Sequence, residues 1–199
     1  MAVLVQKTAP DFAAQAVMPN CTFEEVRLSQ YKGQYIVLFF YPLDFTFVCP
    51  TEIIAFSDQM KEFEALDTQV IGVSTDSHFS HLAWRQVPRH QGGLGQIDYP
   101  IVADLRKSIA RDYDVLVDDA VALRGLFFID RDFIVRHQTV NDDPIGRSVD
   151  EALRVVRAWQ HFEEHGQVCP ANWNSGKATI KPTVDGSKEF FGSTFSSKA

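Results

Sequence analysis

The stretch QYIVLFFY, Gln34 to Tyr41, is an apolar run with no polar face, stopped by Pro42. A strand that alternates polar and apolar residues can leave one face in water, but one without a polar face must be covered on both sides. The run therefore predicts a central strand with chain packed above and below it. The next segments supply those layers. Ile53, Phe56, Met60, Phe63 and Leu66 recur at three- and four-residue spacing, which predicts one amphipathic helix beginning near Pro50, a residue tolerated in a first turn. TQVIGVST (68–75) reads as a strand, HFSHLAWRQ (78–86) as a helix, DYPIVAD (98–104) as a strand and Lys107 to Tyr113 as a short helix. LRGLFFIDRDFIVRHQTV (123–140) holds two strand-like runs split by Asp-Arg-Asp, a hairpin. A long helix follows from Ser148, with Ser148 and Glu151 as a capping box, Leu153, Val156, Trp159 and Phe162 as its apolar face and Gly166 as its stop. Alternating strands and helices predict an α/β fold, a mixed sheet with helices on both faces.

The chain of 199 residues, 45% hydrophobic with 16 phenylalanines, suits one structural unit. Within it we distinguish a domain over 1–168 from an arm over 169–199, whose Gly-, Pro-, Ser- and Lys-rich sequence has little periodicity. A net charge of −7 without a Lys/Arg run excludes the electrostatic footprint of a nucleic-acid binder. No apolar stretch approaches the roughly 20 residues of a membrane helix, and the start MAVLVQKTAPDFAAQAV lacks the basic opening of a signal peptide. Three cysteines are too few for a secreted disulfide framework and leave one unpaired. The expectation is a soluble, unprocessed, cytoplasmic protein.

Two of those cysteines lie in the same tripeptide, Val-Cys-Pro, at 48–50 and 168–170. Cys49 falls where the apolar strand gives way to the helix, so unpaired first-turn amides and the helix dipole favour a thiolate there. A thiol of pKa about 8.5 is about 3% ionised at pH 7, and lowering the pKa to about 6 gains only about thirtyfold. Since a lower pKa also weakens nucleophilicity, neighbours must contribute to any large acceleration. Thr46 offers a hydroxyl and Pro42 can exclude water. On residue type alone, a buried inert thiol is the commoner situation. Two other readings stay open: a zinc site from His161, His165 and Cys169 at four-residue spacing, which Gly166 and Pro170 work against, and a cysteine hydrolase with a histidine beside Cys49. A disulfide reductase of thioredoxin type lacks its C-x-x-C pair.

Pro42, Thr46 and Cys49 in YPLDFTFVCPTE fit the pattern P-x-x-x-T-x-x-C. APDF (9–12), HLAW (81–84), GGLG (92–95), LRGLFFID (123–130), GRSVDEALR (146–154) and EHGQVCPANW (164–173) follow in order. On these segments the chain resembles the typical two-cysteine peroxiredoxins over nearly its whole length. The resemblance implies a thioredoxin-like fold with an N-terminal hairpin and a C-terminal arm, and a thiol peroxidase that needs no cofactor or metal. It implies that Cys49 is the peroxidatic cysteine, attacking a hydroperoxide to give a sulfenic acid. Thr46 would hydrogen-bond the peroxide and Pro42 shield the sulfenic acid. Arg124 would stabilise the thiolate and polarise the peroxide, Glu52 would orient Arg124, and Arg147 is a supporting candidate.

By the same resemblance Cys169 is the resolving cysteine, condensing with the sulfenic acid of the other subunit. A homodimer is implied, with five dimers in a decamer in many members. Thioredoxin or a flavin-containing disulfide reductase would restore the thiols, and a secondary holdase role would survive Cys49→Ser. Cys21 has no catalytic counterpart and is expected in the N-terminal hairpin. Peroxide-sensitive members combine GGLG with a Tyr-Phe pair in the arm, whereas this chain has Phe190-Phe191. Sensitivity to overoxidation is therefore expected to be intermediate.

Overall fold

The computed structural model describes residues 2–196, which form two compact units divided after Val149. The first unit begins with a hairpin of β1 (Ala13–Val17) and β2 (Phe23–Arg27), with Cys21 exposed in its turn at φ 65°. β3 (Tyr35–Phe40), α1 (Cys49–Asp58), α2 (Met60–Ala65), β4 (Thr68–Ser74), α3 (His78–Gln86) and β5 (Ile101–Ala103) follow. α4 (Ser108–Asp112), a two-residue hairpin of β6 (Leu116–Val117) and β7 (Val121–Ala122), β8 (Arg124–Ile129) and β9 (Val135–Asn141) complete it. The seven-stranded sheet runs β2-β1-β5-β4-β3-β8-β9.

All six residues of β3 are buried, as a strand without a polar face requires. It pairs parallel with β4, Val37 opposite Val70, and antiparallel with β8, Val37 opposite Phe128. The period of two divides its side chains between two layers. Ile36, Leu38 and Phe40 join Ile71, Val73, Phe127 and Ile129 in a cluster closed by Ile109 of α4 and by Tyr113, the residue after it. Phe39 points the other way, stacks on Phe56 of α1 at 4.6 Å and meets Tyr99 edge-on at 5.8 Å. Full burial of each such ring contributes about 1.5–3 kcal/mol, so this strand anchors both layers of the unit.

The helix expected from Pro50 to Leu66 is interrupted. Gln59 leaves helical geometry at φ −102° and ψ 9°, and α2 starts after it. Ile53, Phe56, Met60 and Phe63 are nonetheless all buried. Periodicity reports which side chains face the core, and a one-residue break that keeps the rotation leaves it intact. The strand expected over 98–104 shrinks to β5 because Pro100 cannot donate to a ladder. The β6–β7 hairpin was not legible in the sequence at all.

α5 (Val149–His165), all but its first residue in the second unit, starts one residue after Ser148 and ends where Gly166, at φ 63°, turns its N–H back to the Phe162 carbonyl at 2.8 Å. Leu153 and Val156 are buried, but Trp159 is half-exposed and Phe162 is 40% exposed, so the expected apolar face is only half used. The arm departs further from expectation. Val168 and Ile180 exchange two backbone hydrogen bonds, and α6 (Val184–Phe195) occupies most of the remainder. Its two glycines and three serine or threonine residues have poor helix propensity, which masked it. The signal present was its cap: Thr183 Oγ1 accepts from Gly186 N at 3.1 Å.

Candidate active site

β3 delivers the chain to a loop that returns as α1, with Cys49 as the first helical residue and fully buried. The Thr51 and Glu52 amides of that first turn donate to the Val48 carbonyl, at 3.0 and 3.3 Å, so the donor to the sulfur comes from another element. Arg124 reaches it through strand pairing. With Phe39 opposite Leu126, the antiparallel register carries Arg124 past the end of β3 to the level of the loop.

Arg124 is 2% exposed and uses its whole planar fork. Nη1 donates to Cys49 Sγ at 3.3 Å and to Glu52 Oε2 at 2.8 Å. Nε donates to the Asp143 carbonyl at 2.6 Å and Nη2 to the Asp143 carboxylate at 2.8 Å. Glu52, one turn along α1 from Cys49, is the hinge of the cluster. Arg147 donates to it from Nε at 2.7 Å, from Nη2 at 2.9 Å and from its backbone N–H at 2.8 Å. The remaining Arg147 nitrogen is held by the carbonyls of Phe40 and Gly125, at 2.8 and 2.5 Å.

Burial alone would raise the Glu52 pKa. The hydrogen bonds and charge of Arg147, with the charge of Arg124, outweigh it and hold the carboxyl below the usual range. For Arg124, burial would lower the pKa, but the bond and charge of Cys49 and the charge of Glu52 push it above the ordinary guanidinium value. Arg124 therefore keeps its cation beside the sulfur at any working pH.

A largely apolar pocket of about 490 Å³ opens beside this cluster, with Pro42, Thr46, Phe47, Leu123, Arg124 and Asp143 in its wall. Thr46 Oγ1 donates to the Leu43 carbonyl at 2.8 Å, so its hydroxyl is left to act as an acceptor. The structure thus brings Pro42, Thr46, Cys49, Glu52, Arg124 and Arg147 into one region of the first unit. Among the described residues, Arg124 is the one side chain hydrogen-bonded to Cys49, so the histidine a hydrolase would need is not at the sulfur.

Sequence reasoning missed what pins the loop. Asp44, buried, accepts from Tyr41 Oη at 2.9 Å and pairs with His81 Nδ1 at 2.8 Å, and its N–H donates to Asp76 at 2.9 Å. Phe45, next in the chain, sits at φ 55°, costly for an aromatic residue, with its ring 5.6 Å from Trp84. Trp84 in turn donates to the Gly92 carbonyl at 2.9 Å. In that GGLG loop a Cβ on Gly93 would lie 2.0 Å from the Val87 carbonyl oxygen, so Gly93 is a packing requirement. Asp44 and His81 lie in YPLDFTFVCPTE and HLAW, segments that carry the resemblance, but nothing in the sequence pairs them or gives either a role.

Cys169 lies in the second unit, half-buried, its thiol 3.6 Å from the Ala158 carbonyl. Burial raises its pKa, opposed by the charge of Arg154. Cys21, Cys49 and Cys169 are all free thiols. α5 stops at His165, so His161 and His165, with rings 4.4 Å apart, do not share a helix with Cys169. Among the described residues no group of three or more His, Cys, Asp or Glu is placed to hold a metal ion. Phe190 and Phe191 pack edge-on at 5.5 Å, and Phe191 stacks on Phe195 at 5.7 Å.

Residues 5–138 match the AhpC/TSA family, and residues 158–193 match the C-terminal domain of 1-Cys peroxiredoxin. The chain is 58% identical over 193 residues to the mitochondrial thioredoxin-dependent peroxide reductase of Drosophila melanogaster, covering 96% of this chain and 82% of the relative. It is 57% identical over 188 residues to peroxiredoxin-1 of Gekko japonicus, covering 94% of each. The solved structure of reduced Plasmodium vivax 2-Cys peroxiredoxin superposes with a TM-score of 0.94 at 47% identity, over 96% of this chain and 99% of that one. A thioredoxin-like sheet, a thiol held by a buried arginine and a second cysteine in a separate C-terminal unit place the chain in the AhpC/TSA family, among the thiol peroxidases of two-cysteine peroxiredoxin type.

Proposed function

We propose that the protein reduces hydroperoxides through Cys49 and completes the cycle through Cys169 of a second copy. The Cys49 thiolate attacks the O–O bond of ROOH. A sulfur–oxygen bond forms, the O–O bond breaks, and the departing alkoxide takes a proton to leave as ROH or water. Arg124 stabilises the thiolate before attack and the charge on the oxygens during it, while Thr46 aligns the peroxide and Pro42 keeps water from the sulfenic acid. The Cys169 thiol then displaces water from the sulfenic acid and forms a disulfide. Two electrons from thioredoxin, or from a flavin-containing disulfide reductase, restore both thiols.

The observation that carries this reading is the 3.3 Å contact of Arg124 Nη1 with a fully buried sulfur, backed by the Glu52–Arg147 pair. A homodimer follows from the use of Cys169 in trans, and a decamer of five dimers is the assembly we favour. Phe23 and Phe79, edge-on at 5.3 Å and 38% and 65% exposed, offer an apolar patch for such contacts. Three free thiols suit a reducing, cytoplasmic setting. The test is a non-reducing gel of wild type, Cys49→Ser and Cys169→Ser after one equivalent of hydrogen peroxide, quenched in denaturant and a thiol-blocking reagent. Only wild type should form a covalent dimer. A wild type that stays monomeric with both thiols free would sink the proposal.

A further inference from the structure

Arg124 makes an unusual commitment at its outer edge. Its inner nitrogen serves the sulfur and Glu52, but Nη2 is bonded to the Asp143 carboxylate, whose side chain is 70% exposed while Arg124 itself is 2% exposed. Asp143 also lines the pocket beside the thiol, together with Asp142. The other cation of the cluster, Arg147, is turned inward, with every nitrogen bonded to Glu52 or to the carbonyls of Phe40 and Gly125. Seen from the pocket, the positive charge that would attract an anion is therefore screened by Asp143. The charge balance points the same way: two guanidiniums face the carboxylates of Glu52 and Asp143, and removing Asp143 would leave the cluster one unit more positive toward the pocket.

We propose that Asp143 is a specificity-determining residue, whose carboxylate neutralises the solvent side of Arg124 so that the pocket takes uncharged hydroperoxides and turns away anionic ones. This rests on the peroxidase reading of Cys49. The apolar remainder of the pocket wall, Phe47, Val117, Val121 and Leu123, fits the same substrate class, because an uncharged alkyl hydroperoxide loses little on leaving water there. The placement of Arg124 does not depend on the charge. The Asp143 backbone carbonyl accepts from Arg124 Nε at 2.6 Å and is retained in any substitution.

The test uses the full-length reduced protein and two probes, a tertiary alkyl hydroperoxide bearing a carboxylate and the methyl ester of the same compound. The rate of Cys49 oxidation by each is measured in wild type, Asp143→Asn and Asp143→Ala, at low and high salt. Wild type should prefer the ester. One exposed unit charge close to the reacting atoms is worth roughly a factor of three, so the ester-to-acid ratio should fall about threefold in both variants. High salt should shrink the difference. A residue that only held Arg124 in place would slow both probes alike and leave the ratio untouched. That outcome, or normal rates with an unchanged ratio, overturns the inference and leaves the peroxidase reading standing. Failure of the ester to oxidise Cys49 in a wild type that hydrogen peroxide does oxidise overturns the inference alone, and failure of hydrogen peroxide as well overturns the peroxidase reading.

Discussion

Replacing Arg124 separates charge from geometry at the thiol. Arg124→Gln removes the one cationic donor to Cys49 Sγ, together with bonds at 2.8 Å to Glu52 and at 2.8 and 2.6 Å to Asp143. Glu52 keeps three bonds from Arg147, so the cluster retains a paired carboxylate and the fold should survive. A hydrogen bond to a charged group is worth about 1.5–3 kcal/mol. At 1.36 kcal/mol per factor of ten, Cys49 oxidation should slow by about 10- to 150-fold. Arg124→Lys keeps the charge but cannot span sulfur, Glu52 and Asp143 with a single ammonium, so it should recover only part of the loss. The assay is rapid mixing of reduced protein with hydrogen peroxide, acid quench, and mass analysis of Cys49. An Arg124→Gln protein with wild-type thermal stability and a rate within threefold of wild type would refute the reasoning. Full recovery by lysine would show that charge alone matters and that the fork is incidental.

Glu52 should leave a mark on acid stability. Its folded pKa lies below the unfolded value of about 4.3, so its contribution is fully present above that value and is lost as pH falls through the lower folded pKa. Denaturant titrations at neutral and acid pH should show a Glu52→Gln variant about 3–5 kcal/mol less stable at neutral pH, with a shallower acid decline, because two buried guanidiniums lose their carboxylate. Equal stability of the variant at neutral pH would contradict this account. Phe190→Tyr adds a hydroxyl to the arm and should lower the peroxide excess at which Cys49 sulfinic acid appears in mass spectra. Wild type should lie between fully sensitive and fully resistant, and complete resistance at high excess would remove the expectation.

How far the sequence reveals this molecule depends on what each element is made of. β3 was legible because an apolar run with no polar face has one solution, and the hairpin of β8 and β9 because two strand-like runs flank Asp-Arg-Asp. α6 was hidden because residues poor in helix propensity are held by a cap and local packing. Cys49, Thr46 and Pro42 sit within eight residues, so a linear motif captures them. The roles proposed for Arg124 and Glu52 came from resemblance, and strand pairing supplies the geometry that brings Arg124 to Cys49 across 75 residues. Asp44 and His81, 37 residues apart and both buried, are joined by the loop's return over the sheet and leave no pattern in one dimension. Asp143 reads in sequence as one more surface acid until its partner is seen.

The break at Gln59 has a consequence for how α1 can melt. Helix unwinding is cooperative, and a continuous helix from Cys49 to Leu66 would couple its first turn to everything down to the strand that follows. Divided as it is, the segment that carries the thiol is a cooperative length of ten residues. α2 keeps its own anchors, with Met60 and Phe63 in the core. Exposure of the sulfur to a second thiol then amounts to fraying one short segment, while the sheet and α2 remain as a template on which it rewinds.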